Sequence, residues 1–151
     1  VHQTRLESIN SLFLDYRRHF ETGDAEQIAD FYRFPLHYYR EDGNKAAIDR
    51  GAFVLQVNKL LNAYRRLGVC QILGTVTEVI ELNNYSSLAS VRWTLLHPKG
   101  NEKTMELYSS HTRYLLTGTE QGLRIDGLII VDESAKIREA VKARKRPPSN
   151  E

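Results

Sequence analysis

Five consecutive side chains in the stretch FPLHYYRED carry an imidazole (His37), two phenols (Tyr38 and Tyr39), a guanidinium (Arg40) and a carboxylate (Glu41). Brought together, groups of these types move protons and polarise carbonyl oxygens. A strand divides such a set between two environments, because successive side chains point to opposite faces. Leu36 must follow the core, so Leu36, Tyr38 and Arg40 are expected inside, and His37, Tyr39 and Glu41 outside. Arg40 is then the only strong cation of the inner set. Its fork of donors suits a ligand bearing a carboxylate, phenolate or carbonyl oxygen. Tyr16 and Glu78 complete the candidate catalytic group, Tyr16 with Tyr38 and Arg40 to polarise a carbonyl or carboxylate and Glu78 as the general base that a buried strand carboxylate can be. His37 has no partner at metal-ligand spacing, and neither a metal nor a cofactor is expected.

The scaffold for these residues is a chain of 151 residues, enough for one domain with a real core. Its 41% hydrophobic and 26% charged content is that of a soluble globular protein. The net charge of +2 resides mostly in the closing KIREAVKARKR, so the body carries no nucleic-acid footprint. A single domain over residues 1–145 with a disordered basic and proline-containing tail at 146–151 is expected. One cysteine, Cys70, excludes an intramolecular disulfide and a cysteine-only zinc site, and reads as core packing. No run is long and apolar enough to span a membrane, and VHQTRLESIN lacks the apolar stretch of a signal peptide, so a cytoplasmic location is expected.

Leu6, Ile9, Phe13, Tyr16 and Phe20 recur at steps of three and four, which places them on one face of a helix stopped by Gly23. Asp24 caps a second helix, in a box with Gln27, whose apolar face is Ile28, Phe31 and Tyr32. Pro35 ends helical continuation and makes LHYYRE a short strand, followed by the turn EDGNK. Asp49 caps a third helix with Phe53, Val57, Leu60, Leu61 and Tyr64 inward, and Gly68 is its stop. The period then changes to two. Val69–Leu82, Ser87–His97, Thr104–Leu116 and Leu123–Val131 read as strands separated by NNYS, PKGNEK and TGTEQG, an antiparallel meander closed by a helix over Ser134–Arg144.

Turn lengths set an expected register. Leu116 opposite Leu123 brings Thr112 to Gly127 and turns Ile125, Gly127, Ile129 and Val131 inward. Arg113 then faces Asp126 in an outer ion pair, and Leu128 and Ile130 join Arg92, Thr94 and His111 on the outer face. Trp93 opposite Tyr108 makes Ala89, Val91, Trp93, Leu95, Tyr108, Ser110, Thr112 and Tyr114 inner residues. The expected ligand pocket is Tyr16, Tyr38, Arg40, Trp93, Tyr108, Ser110, Thr112 and Tyr114. A one-residue slip would reverse any of these faces. The apolar pair Leu128 and Ile130 on a polar outer face calls for cover, and a homodimer through that face is expected.

The order helix, helix, strand, helix and four-strand meander is that of an α+β cone, with three helices on the concave face of a curled, mainly antiparallel sheet (α-α-β-α-β-β-β-β) and a short C-terminal helix. Through FLDYRRHFETGDAEQIADFY, FPLHYYREDG, RRLGV and GLRIDGLIIV the chain resembles the nuclear transport factor 2-like superfamily, in its SnoaL-like and ketosteroid-isomerase-like branch. The resemblance implies a pocketed, commonly dimeric fold that serves isomerases, dehydratases, hydrolases, cyclases and non-catalytic proteins alike. Ketosteroid isomerases pair a first-helix tyrosine with two strand aspartates. Tyr16 matches the tyrosine, but Arg40 and Ser110 stand near the aspartate positions. The arginine between acids of limonene epoxide hydrolases has its residue types in Arg113 or Arg124 with Asp126, outside the pocket. The expected function is binding of a hydrophobic or aromatic small molecule bearing an oxygen anion or carbonyl, with no nucleic acid or membrane as partner. The alternatives are acid–base catalysis on such a molecule, and a dimerisation or assembly module with a vestigial pocket.

Overall fold

The computed structural model describes residues 4–98 and 104–145; the expected turn through 99–103 and the tail at 146–151 lie outside the described residues. The elements are α1 (Arg5–Thr22), α2 (Ala25–Ala29), β1 (Tyr32–Tyr39), β2 (Lys45–Ile48), α3 (Arg50–Leu67), β3 (Gln71–Glu81), β4 (Ser86–Pro98), β5 (Thr104–Thr119), β6 (Gly122–Ile130) and α4 (Glu133–Lys145). The strands form one open sheet in the order β2-β1-β6-β5-β4-β3, antiparallel throughout except for the parallel pair β1–β6. Helices packed on one face of this sheet make the α+β architecture expected from the alternation of periods.

Local chemistry accounts for the helix limits. Thr4 and Glu7 form a reciprocal capping box at the start of α1, and Gly23 ends it at φ 79°, a conformation that costs a side chain dearly. Asp24 caps α2 by accepting from the Gln27 N–H, and Asp49 caps α3 by accepting from the Ala52 N–H. Two expectations need correction. Helix α2 is a single turn, so Tyr32 belongs to β1 rather than to its apolar face. KAAI forms a second strand, β2, in a hairpin with β1; its alanines carry none of the β-branched signal that marks strands. On α1 the buried stripe is Ile9, Phe13 and Tyr16, while Leu6 is exposed.

The core lies between α1, α2, α3 and the concave sheet face, where Ile9, Ile28, Leu36, Leu67, Leu95, Leu116 and Ile125 are fully buried. Each such side chain contributes about 1.5–3 kcal/mol of transfer free energy. Arg5 ties α1 to the far end of the sheet. Its guanidinium donates to the carbonyl oxygens of Asn83 (2.8 Å) and Asn84 (2.9 Å) and to Ser87 Oγ (3.3 Å), with Glu81 at 3.7 Å. Arg5→Met is expected to cost about 1–3 kcal/mol in urea unfolding, because carbonyls of the β3–β4 hairpin lose charge-assisted donors. A loss within error would make the clamp a solvent-exchanged surface contact.

Three bulges interrupt the antiparallel ladders, and the parallel β1–β6 pair also shifts register between Tyr32 and His37. Thr77 is an extra residue of β3 against β4, Leu107 of β5 against β4, and Asp126 of β6 against β5. Each reverses which side chains face the helices from that point on. The meander pairs Trp93 with Ser110 and Val91 with Thr112, two residues from the expected register. A slip of two preserves faces, so Ala89, Val91, Trp93, Leu95, Tyr108, Ser110, Thr112 and Tyr114 are all buried.

Candidate functional site

A cavity of about 210 Å³ lies between α1, α3 and the concave sheet face. Helix α3 supplies one wall through Phe53, Gln56, Val57, Leu60 and Tyr64, a stripe at steps of three and four. Helix α1 supplies Tyr16 and Phe20; the sheet supplies Tyr32, Ile72, Trp93, Leu95, Thr112, Tyr114, Leu128 and Ile130.

The aromatic rings brace one another. Tyr16 sits 5.7 Å from Trp93 and 4.9 Å from Phe20, and Tyr32 sits 4.5 Å from Phe53, centroid to centroid. Two hydrogen bonds fix the polar edges: the hydroxyls of Tyr16 and Tyr32 share one at 2.5 Å, and the Trp93 indole N–H donates to Tyr114 Oη at 2.8 Å. Phe13 packs behind, 4.8 Å from Tyr114 and 6.2 Å from Trp93. These contacts hold the rings as a rigid wall.

Among the described residues, the lining contains no aspartate, glutamate, histidine, lysine, arginine or cysteine. Its polar groups are phenols, an amide, a threonine hydroxyl and an indole N–H, which serve as hydrogen-bond partners rather than proton acceptors. Among the described residues, no group of three or more His, Cys, Asp or Glu is placed to hold a metal ion.

Of the residues expected at a pocket, Tyr16, Trp93, Thr112 and Tyr114 line this cavity, and the others stand elsewhere. Tyr38 is half-buried on the same sheet face as Leu36, with His37 and Tyr39 exposed on the other. Arg40 follows the end of β1 and belongs to the hairpin turn, where its N–H donates to the Asn44 carbonyl at 2.9 Å. Its guanidinium lies in solvent, 5.8 Å from the Tyr38 ring centroid. A hydrogen bond with Tyr38, reinforced by Asp42, holds it above its ordinary pKa. Strand alternation fails to carry Arg40 inward because the strand has already ended.

Glu78 is exposed. Gly74 and Val76 share the inner parity, but the Thr77 bulge passes that parity to Val79 and turns Glu78 to solvent opposite Ser90. Tyr108 and Ser110 are buried but off the cavity, on the part of β5 beyond the last β6 pair, Thr112–Ile130. Helix α4 packs against β5 and α3. Ser110 Oγ is fully buried with no hydrogen-bond partner among the described residues.

The largest revision concerns β6. Near its turn, Leu116 pairs with Ile125; past the Asp126 bulge, Leu115 pairs with Gly127 and Tyr114 with Leu128. Leu128 and Ile130 therefore line the cavity and Ile129 faces outward, the reverse of the expected faces. Asp126 approaches Arg33 at 3.9 Å, not Arg113, which lies opposite Ile129. The Asp-Gly pair inside RIDGLII was the available signal, since a glycine within a strand often marks a bulge. Gln56 carried a weaker one, its position three residues from Phe53 on an otherwise apolar stripe. Cys70 is exposed rather than core, and its Sγ lies 3.4 Å from the Leu96 carbonyl.

Comparison with known proteins shows what this geometry belongs to. Among curated proteins, none matches the chain in sequence. Solved structures match it across most of its length. An NTF-2 like protein of unknown function from Shewanella oneidensis MR-1 superposes with a TM-score of 0.65 at 18% identity, covering 85% of this chain and 100% of that one. A domain of unknown function with a cystatin-like fold from Nostoc punctiforme gives 0.64 at 16% identity, covering 96% and 100%. A ketosteroid isomerase-like protein from Erwinia carotovora atroseptica gives 0.61 at 11% identity, covering 85% and 95%. At these identities the likeness is one of fold. The model of one sequence family, described as NTF2-like protein (DUF6841), matches residues 7–133, and with that span covered the chain belongs to this NTF2-like family.

Proposed function

We propose that this protein binds a neutral, mainly apolar small molecule of one or two rings, oriented by a hydroxyl or carbonyl that hydrogen-bonds to the tyrosines or to Gln56. The observation that carries the reading is the wall chemistry, aromatic and aliphatic with scattered neutral polar groups and, among the described residues, no charge. An apolar cavity of ~150 Å³ already admits benzene, and this one is about 210 Å³. Arg40 no longer argues for an anionic ligand. A carboxylate entering here would lose its hydration without a cation to replace it.

Acid–base catalysis needs a proton acceptor within hydrogen-bond reach of the substrate, or one water away. Among the described residues the lining supplies no carboxylate or imidazole, which favours binding over the isomerase, dehydratase, cyclase and hydrolase readings. The test compares 2-naphthol with 2-naphthoate by titration calorimetry. The indole N–H resonance of Trp93, the only tryptophan of the chain, reports occupancy. The neutral compound is expected to bind with Kd in the range of about 1–100 μM and the carboxylate at least roughly tenfold more weakly. Tighter binding of the carboxylate would overturn the neutral-ligand reading, and binding of neither would overturn the pocket itself.

A homodimer through the outer sheet face remains part of the proposal, on different residues from those the sequence suggested. Register aligns Ile80, Leu88 and Leu115 in one apolar row across β3, β4 and β5, and Tyr39 beside Ile129. Ile80 is 44% exposed and Tyr39 43% exposed, on a face with no covering helix described. A two-fold partner presenting the same rows would bury them.

A further inference from the structure

We infer that Gly74, a strand glycine outside the cavity lining, sets the size of ligand the cavity accepts by fixing how far Trp93 can retreat; the inference rests on the binding reading above. Gly74 pairs directly with Trp93 across β3 and β4, on the face that looks toward the helices. A β-carbon built on Gly74 would meet the benzo edge of the indole at 2.4, 2.9 and 3.0 Å. Ordinary van der Waals contact begins at 3.4 Å, so the ring would have to move by about 1 Å or more.

The direction of that movement is constrained. The benzo edge lies on the β3 backbone, while the indole N–H on the opposite edge is tied to Tyr114 Oη. Phe13 and Tyr16 pack against the ring from α1. With the β3 side filled, relief lies toward the cavity, and the Tyr114 bond must lengthen or break. Backbone strain is not the reason for a glycine at this position, since its φ is not in the left-handed region. An aromatic ring laid over a cross-strand glycine is a recognised stabilising pair in sheets, and here it also makes room. Sequence reading passes over Gly74 because a strand glycine looks merely weakening. Variation at this one position would resize the site with every cavity-lining residue unchanged in identity.

The experiment measures phenol and 2-naphthol binding by calorimetry to the wild type, Gly74→Ala, Trp93→Phe and the double variant, and follows the Trp93 indole N–H resonance without ligand. Gly74→Ala should weaken 2-naphthol by roughly tenfold to a hundredfold and phenol by less than about threefold. It should also shift the indole resonance in the free protein as the Tyr114 bond changes. In the Trp93→Phe background the same substitution should alter 2-naphthol affinity by less than about threefold, since the smaller ring leaves room for the β-carbon. If Gly74→Ala fails to fold, recovery of folding in the double variant supports the clash. Equal failure of both overturns the inference, as does an unmoved indole resonance in a folded Gly74→Ala protein, or additive effects in the cycle. Should the wild type bind neither probe, the binding reading falls on that result, and the ligand-size inference falls with it. The free-protein resonance still decides separately whether Gly74 positions Trp93.

Discussion

Trp93→Ala is expected to lower the free energy of unfolding by about 3–5 kcal/mol, measured by urea denaturation. The magnitude follows from what the indole touches. Its side chain is buried to 6% exposure, packs on Phe13 and Tyr16, covers Gly74 and donates to Tyr114. Truncation removes the transfer free energy of the largest side chain in the wall. It also leaves a void that the surrounding braced rings cannot collapse to fill. A domain of this size has a total stability of roughly 5–15 kcal/mol, so the variant should remain folded at 25 °C but melt well below the wild type. The enlarged cavity should gain affinity for ligands bulkier than 2-naphthol in the surviving folded fraction. A cost under about 1.5 kcal/mol would show that the ring is loosely seated, and the rigid-wall account of the cavity would go with it.

The second large effect is a contrast between neighbours. Leu128→Asp places a carboxylate in a cavity wall that, among the described residues, offers it no cation, and is expected to cost about 3 kcal/mol or more and to abolish 2-naphthol binding. Ile129→Asp places the same group on the opposite face, beside Arg113 and Tyr39. It should leave urea stability of the isolated protomer within about 1 kcal/mol. Under the dimer proposal it should convert a dimeric mass by light scattering to a monomeric one. Equal damage from both substitutions would mean that the Asp126 bulge does not set the face. A wild-type monomer at tens of micromolar, an order-of-magnitude choice in the range where standard interfaces persist, would remove the dimer.

How much was legible follows from the kind of signal each feature leaves. Helix limits were readable because caps are local: Asp24, Asp49, Gly23 and Gly68 act on backbone groups within a few residues. The inner set of β4 and β5 was readable although its register was not, since any even slip keeps a residue on its face. The helical walls were likewise visible as the stripes Phe13–Tyr16–Phe20 and Phe53–Val57–Leu60–Tyr64. What could not be read were single-residue events. Asp126 and Thr77 each add one residue to a strand, and nothing in their local propensity announces it as firmly as a proline or a cap does. Those two bulges decide whether Leu128, Ile130 and Glu78 face the helices or the solvent. Arg40 was misplaced for a related reason, because the end of a strand is set by the hairpin partner β2, whose sequence is weak.

Seen from the Thr77 bulge, the outward position of Glu78 is a matter of counting rather than of composition. A regular strand continuing from Val76 would turn the Glu78 carboxylate toward the helices, and the bulge keeps it on the wet side. Pairing of Thr77 itself with Ser90 would restore unbroken alternation from Gly74 through Val76 to Glu78, handing an acid to the helix-facing side while Val79 took its place outside; deletion of Thr77 would not, since Glu78 and Val79 would keep Ser90 and Ala89 as partners. In such a fold, how one strand residue is paired, rather than what its own side chain is, decides which of the groups after it the helices meet and which the solvent meets.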